Sequence, residues 1–420
     1  MSAAASNIEL LPREGGKHNF ARDFPGLINS DGSRWHYLDT AATAQKPQAV
    51  IDATVGAMGR DYATVHRGVY ARSAEMTLAY EAARQKVARF IGGGENEIVF
   101  TRGATEAINL VAASWGAAHL KAGDRILLSV LEHHSNIVPW QLHCVSKGVA
   151  IDVCPLTPDG QIDLDAAERM LTPHHKLVAF AHVSNVLGST LDAKRAAALA
   201  HSVGAKLLLD GCQAAARLPI NVATLDCDFY VFSAHKLYGP TGIGALWARS
   251  EILDSMPPWQ GGGAMIDRVS FTGTTYADAP QRFEAGTPAI IEAIALGAAV
   301  DYVSAIGLDV IGAHEAALVR HLRATLRPIN GVTLFGPEDS AGIVSFALQG
   351  VHSHDLGTIL DEANGDFGRV AIRAGHHCAQ PLMEHLGVAA TARASFGLYS
   401  DMSDIEALMR GIERTMRIFA

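Results

Sequence analysis

Five polar residues in this 420-residue chain each follow an apolar run of strand length: Thr105, His133, Asn185, Asp210 and Lys236. Lys236 closes the stretch Phe229 to Lys236, in which four apolar residues are followed by Ser233, Ala234 and His235. Gly239, Pro240, Gly242 and Gly244 come next and argue against a regular helix there. Most lysines are solvated on loops. A lysine at the carboxyl end of a buried strand, between a serine and histidine and a glycine turn, fits a lysine that bonds covalently to a carbonyl compound.

The other residues supply what such a compound would need. Gly103, Ala104 and Thr105 open a helix, whose free N–H groups and dipole favour an anion. Ser233 and His235 add hydrogen bonds to the same anion. Asp210 ends an apolar strand, and burying a lone carboxylate is costly unless a cation pairs with it. Gln213 lies three residues further on, placed to hydrogen-bond a ring oxygen, and His133 is placed to stack on a planar ring. Each residue alone has a plainer reading: a helix-starting threonine is usually a cap, and an aspartate is often a turn residue. Together they describe an anion cradle, a partner for a ring cation, a stacking group and a covalent lysine, the requirements of pyridoxal 5'-phosphate.

Alternating strand and helix signals explain how these residues meet. Strands are expected at Ile98–Phe100, Arg125–Val130, Lys176–His182, Lys206–Leu209, Phe229–Phe232 and Gly244–Trp247, with helices between them. That is an α/β fold with a mainly parallel central sheet and helices on both faces, and ligands bind at the carboxyl ends of such strands. Met76–Ile91 is expected to be an amphipathic helix with Leu78, Ala82, Val87 and Phe90 on one face. Residues 61–74 and 257–288 are expected to be irregular, and so long an irregular stretch is usually functional or an interface element. Three regions are expected: an N-terminal arm over 1–30 packing on the small domain, a large domain over 31–306, and a smaller α+β domain over 307–420.

Composition narrows the function classes. The chain is 49% hydrophobic and 18% charged, with a net charge of −9 and no basic run. Nucleic-acid and membrane partners are therefore not expected. No apolar stretch reaches the roughly 18 residues of a spanning helix, and the amino terminus has no signal-peptide pattern. The five cysteines are scattered without a Cys-x-x-Cys pair, so no disulfide framework and no metal site is expected, and a reducing cytoplasm is the expected compartment.

Several motifs carry a resemblance that runs from about Tyr37 to the end. They are Leu38 to Ala42, Thr101 to Glu106, Glu132 to Asn136, His182 to Asn185, Asp210 to Gln213, Ser233 to Lys236, Phe283 to Pro288, and Arg373 to Pro381 with its Gly-His-His-Cys-Ala-Gln-Pro turn. On these the chain resembles fold-type I pyridoxal phosphate enzymes of the class V aminotransferase group, and more closely the cysteine desulfurases of the SufS/CsdA type. The resemblance implies that Lys236 holds the cofactor and moves the α-proton, that Asp210 pairs with the pyridine nitrogen and Gln213 with the ring oxygen, and that His133 stacks on the ring. It implies that Thr105, Ser233 and His235 bind the phosphate, with Thr287 reaching over from a partner subunit, and that Asn185 and Arg373 hold the substrate carboxylate. Arg393 is a second candidate for that carboxylate, or else holds the small domain together. The loop with His66 and Arg67 is expected to reach a neighbouring subunit's site in a homodimer.

Two positions depart from the family pattern. Ala104 stands where a second threonine is frequent, so its backbone N–H must serve the phosphate. Cys212 stands where alanine is common and reads as a small buried filler. Cys378 is the residue that separates this branch from others. Its flanking histidines and Arg373 favour the thiolate, the reactive form. The implied reaction is removal of sulfur from L-cysteine, giving L-alanine and a Cys378 persulfide that passes to an acceptor protein of the SufE or SufU kind for iron–sulfur cluster assembly. L-Selenocysteine is a second substrate the same residues would fit. The alternative is another class V enzyme, a transaminase or kynureninase-like lyase, which would have no use for Cys378.

Overall fold

The computed structural model describes residues 20–362 and 368–419, so residues 1–19 of the expected arm lie outside it. Seven strands form the main sheet, in the spatial order Ile98–Thr101, Gly244–Ala248, Phe229–Ser233, Lys206–Asp210, His175–Ala181, Arg125–Ser129, Ala150–Cys154. Only Gly244–Ala248 runs against its neighbours, so Ile98–Thr101 and Phe229–Ser233 end on the same edge. The remaining pairs are parallel.

Side chains alternate between the two faces. Leu207, Leu209, Tyr230 and Phe232 enter one buried cluster with helices Ala71–Ile91, Ala193–Ser202 and Ile290–Ile306. Leu208, Phe229 and Val231 enter another with helices Ala104–Ala113 and Val138–His143. Burial on both faces makes these strands continuous apolar runs. Each such side chain contributes about 1.5–3 kcal/mol when fully buried. The strand Ala150–Cys154 escapes the sequence reading because it is an edge strand. Its Val153 is half exposed and its Asp152 faces Arg125, so it lacks an apolar run.

Two other expectations need correction. The helix expected from Met76 begins at Ala71 and buries Met76, Tyr80, Ala83, Val87 and Ile91. Leu78 is 71% exposed. The stripe is rotated because Arg84, counted as polar, is itself buried against Glu284. The 257–288 segment is not wholly irregular: Ile266–Ser270 and Gly273–Tyr276 form an antiparallel hairpin whose residues face solvent. With neither face buried, the hairpin leaves no alternating apolar signature.

A second sheet has four antiparallel strands in the order Val332–Phe335, Ile343–Leu348, Thr391–Ser395, Arg373–Gly375. Helices Leu308–Leu326, Ser353–Asp361 and Met402–Phe419 bury Leu318, Leu322, Leu356, Leu360, Ile405 and Leu408 against it. The loop expected after Arg373 includes a further helix, Gln380–Leu386. Of the arm, Phe24 is buried among the rings of Tyr238, Tyr302 and Tyr399. No single helix among the described residues is long and apolar enough to cross a membrane.

Candidate active site

The strand ends and the second sheet enclose a cleft of about 260 Å³. Ala104, Thr105, His133, Asn185, Asp210, Gln213, Ser233, His235, Lys236, Arg373, Cys378 and Arg393 all line it. His66, Arg67 and Thr287 do not. They meet in a separate cavity with Glu81, where His66 Nε2 lies 2.8 Å from Glu81 Oε1.

Thr105 lies in the first turn of the helix Ala104–Ala113, which follows the strand Ile98–Thr101. Ala104 N donates to Ser233 Oγ at 2.9 Å, and the Thr105 and Ser135 hydroxyls lie 2.7 Å apart. Ser135 also lines the cleft. It lies inside the Glu132 to Asn136 motif but carried no periodic signal of its own. A Cβ at Gly103 would sit 3.2 Å from Ser233 Oγ, so any side chain there would have to push the serine hydroxyl back by a few tenths of an ångström.

Asp210 is 7% exposed, and its Oδ1 accepts from Cys212 N at 3.0 Å. Burial, with Asp210 beside it, pushes the Cys212 thiol up to about 12. That suits an inert filler and not a nucleophile. Burial, with Lys236 nearby, lowers His133 to about 4 and His235 to about 4, so both rings are neutral at pH 7. His133 Nδ1 accepts from Ser135 N at 3.1 Å, which leaves the proton on Nε2. Beneath it, fully buried Glu132 accepts from Ser129 Oγ, Asn136 Nδ2 and Ala181 N. Burial pushes Glu132 up to about 7.

Gln213 is engaged at both ends: Nε2 donates to Ala41 O at 2.7 Å, and Oε1 accepts from Arg217 Nη1 at 2.9 Å. One amide hydrogen is left for the cleft. Arg393 is 1% exposed and bonds Asp39 Oδ1 at 2.9 Å and Asn185 O at 2.7 Å. Burial lowers its guanidinium to about 10.

The cysteine loop follows the edge strand Arg373–Gly375. Arg373 Nη2 is 4.0 Å from Cys378 Sγ. The loop is fastened to the main sheet from two sides: His134 N donates to Cys378 O at 2.8 Å, and Asn185 Nδ2 donates to His377 O at 2.8 Å. His377 and Cys378 both adopt left-handed backbone, with φ of 52° and 55°. Two adjacent non-glycine residues in that region are uncommon and cluster at functional sites.

The donor set fits pyridoxal phosphate on the structure's own terms. It offers a backbone N–H and hydroxyls at a helix start, a buried carboxylate with one oxygen facing no other donor among the described bonds, a neutral imidazole and a lysine in the same cleft.

Comparison with known proteins agrees with this geometry. Residues 36–408 match the family model described as aminotransferase class-V. A cysteine desulfurase of Dickeya dadantii is 49% identical over 399 residues, 94% of this chain and 96% of the relative. One from Klebsiella pneumoniae is 48% identical, covering 94% and 97%. Among solved structures, the cysteine desulfurase CsdA of Escherichia coli superposes with a TM-score of 0.88 at 40% identity, covering 96% of this chain and 98% of that one. With the family model spanning most of its length and relatives this similar end to end, the chain belongs to the aminotransferase class-V family.

Proposed function

We propose that this protein is a pyridoxal phosphate-dependent cysteine desulfurase. The observation that carries this reading is Cys378 sharing one cleft with Lys236 and Asp210, beside the guanidinium of Arg373. Ala104 N–H, Thr105, Ser233 and His235 hold the phosphate, Asp210 the ring nitrogen, Gln213 the ring oxygen, and His133 stacks on the ring. When bound, the cofactor supplies an electron sink for the carbon next to the substrate's amine. Lys236 holds the cofactor covalently at rest and removes the substrate α-proton at Nζ. Arg373 pairs with the substrate carboxylate, for which its planar fork is suited, and Asn185 assists with its remaining amide hydrogen. Arg393, tied to Asp39, shapes that pocket from behind.

The Cys378 thiolate then attacks the substrate sulfur. A sulfur–sulfur bond forms as the carbon–sulfur bond breaks. The electron pair stays with carbon: the β-carbon takes up a proton, Lys236 returns one to the α-carbon, and the product leaves as L-alanine. The sulfur remains as a Cys378 persulfide, for delivery to an acceptor protein of the SufE or SufU kind and thence to iron–sulfur clusters. L-Selenocysteine fits the same residues. Five free thiols suit a reducing cytoplasm.

A second copy of the chain completes the picture. His66, Arg67 and Thr287, absent from this cleft, line a separate cavity, and Val69 and Phe271 are fully exposed. In a homodimer these residues serve the partner's cleft.

Mass spectrometry of the protein after incubation with L-cysteine tests the central step. The Cys378 peptide gains one sulfur atom. Cys378→Ala retains the visible cofactor band but releases no sulfide. Full desulfurase activity in that variant would exclude the assignment, and amino transfer to a keto acid in its place would favour a transaminase.

A further inference from the structure

Behind the cleft lies a buried ion pair with no evident part in the chemistry. Arg217 is 2% exposed and Glu315 1% exposed, and Arg217 Nε is 2.9 Å from Glu315 Oε2. Glu315 belongs to the helix Leu308–Leu326, and among the described residues neither of its carboxylate oxygens forms an aligned hydrogen bond, so the guanidinium meets it by charge alone. A buried ion pair of this kind is weak evidence for stability, since its desolvation penalty can exceed its attraction. Something else must favour keeping it. The rest of Arg217 shows what it does. Its Nη1 donates to Gln213 O at 3.0 Å and to Gln213 Oε1 at 2.9 Å. Its Nη2 reaches Phe396 O at 3.3 Å, just beyond the strand Thr391–Ser395 of the second sheet. Gly342, which precedes the strand Ile343–Leu348, leaves room for the pair: a Cβ there would lie 2.2 Å from Glu315 Oε2 and 2.5 Å from Arg217 Nε.

The consequence falls on Gln213. An amide side chain can turn over, exchanging oxygen for nitrogen at little cost. Arg217 has only donors, so it accepts Gln213 solely with Oε1 toward it. Ala41 O accepts from Nε2 on the other side. Gln213 is therefore locked with its free N–H toward the cleft. Glu315 fixes Arg217 by charge, and the second sheet fixes it through Phe396 O.

We propose that Arg217, held by Glu315, is a positioning residue that sets the amide orientation of Gln213 and so tunes the bound cofactor according to how the second sheet sits on the first. This rests on the reading that the cleft holds pyridoxal phosphate with its ring oxygen against Gln213.

The test compares holoenzymes. Arg217→Met combined with Glu315→Leu removes both buried charges together, so that neither is left unpaired, and leaves Gln213 free to turn. The visible absorption band of the bound cofactor then shifts in the same sense as in Gln213→Leu, and the cofactor dissociates about three- to tenfold more readily, the worth of one hydrogen bond. In a Gln213→Leu background the paired substitution adds nothing, as expected if it acts through that side chain. Arg217→Lys, which keeps the charge but cannot span Glu315 and Gln213 together, reproduces the shift if the paired variant does not fold. An unchanged band and affinity, or an effect fully additive with Gln213→Leu, overturns the proposal. A wild-type protein that takes up no pyridoxal phosphate removes the cofactor reading and the proposal with it.

Discussion

At the scale of single residues, the cleft works by choosing charge states. Burial keeps His133 and His235 neutral and raises the Cys212 thiol, so one thiol in the cleft is inert while the other, on Cys378, stands beside Arg373. The same physics gives a pH dependence behind the site. His182 is 5% exposed, its Nδ1 lies 3.2 Å from Tyr230 Oη, and burial lowers it to about 4. A histidine whose folded pKa lies below its unfolded value near 6.5 contributes stability above pH 6.5 and loses it as pH falls toward 4. Between pH 6.5 and pH 5 the stability of wild type relative to His182→Gln is expected to fall by about 2 kcal/mol. Parallel denaturant titrations at the two pH values measure this, and a constant difference would contradict it.

Elements explain both what the sequence revealed and what it hid. Strands buried on both faces, such as Phe229–Ser233, are apolar throughout and end visibly at Ser233, so Lys236 and Asp210 stood out. The edge strand Ala150–Cys154 and the solvent-facing hairpin at 266–276 lacked that signal, and the stripe of Ala71–Ile91 was misplaced because a buried arginine broke the pattern. That arginine marks a structural joint. Glu284 accepts from Arg84 Nη1 at 2.6 Å, from Arg84 Nη2 at 3.0 Å and from Phe100 N at 2.7 Å. It ties the end of the 257–288 segment to the first strand and to the long helix. Glu284→Ala leaves Arg84 with Glu81 as its remaining carboxylate, 3.0 Å from Nε, and is expected to cost about 1.5–3 kcal/mol, the worth of a hydrogen bond to a charged group, read as a lowered thermal midpoint. The relay through Arg217 was hidden for another reason: its partners are far apart in the chain, and no local pattern announces a contact between Gln213 and Glu315.

Across the whole molecule, exposed apolar side chains are scattered, but two stretches carry several each: residues 55–78 and the 266–276 hairpin. Val55, Met58, Tyr62, Val69, Tyr70 and Leu78 are all at least half exposed, and the hairpin adds Val269, Phe271 and Tyr276. Apolar surface that a soluble monomer would not leave bare usually marks an interface. Sedimentation of the purified protein is expected to give the mass of two chains, and replacing Val55, Met58 and Leu78 with glutamate is expected to shift it toward one. A monomeric wild type would leave His66, Arg67 and Thr287 without a cleft to serve. The two sheets divide the work within each chain. Lys236, Asp210, His133 and Thr105 stand at the ends of the first, while Arg373 and Cys378 come from the edge of the second. Two hydrogen bonds, from His134 N to Cys378 O and from Asn185 Nδ2 to His377 O, join the cysteine loop to the loops of the main sheet. In evolutionary terms the two are separable inheritances: a lineage can rewrite a few residues after Arg373 and acquire a different reaction, with the cofactor's side of the cleft passed on unchanged.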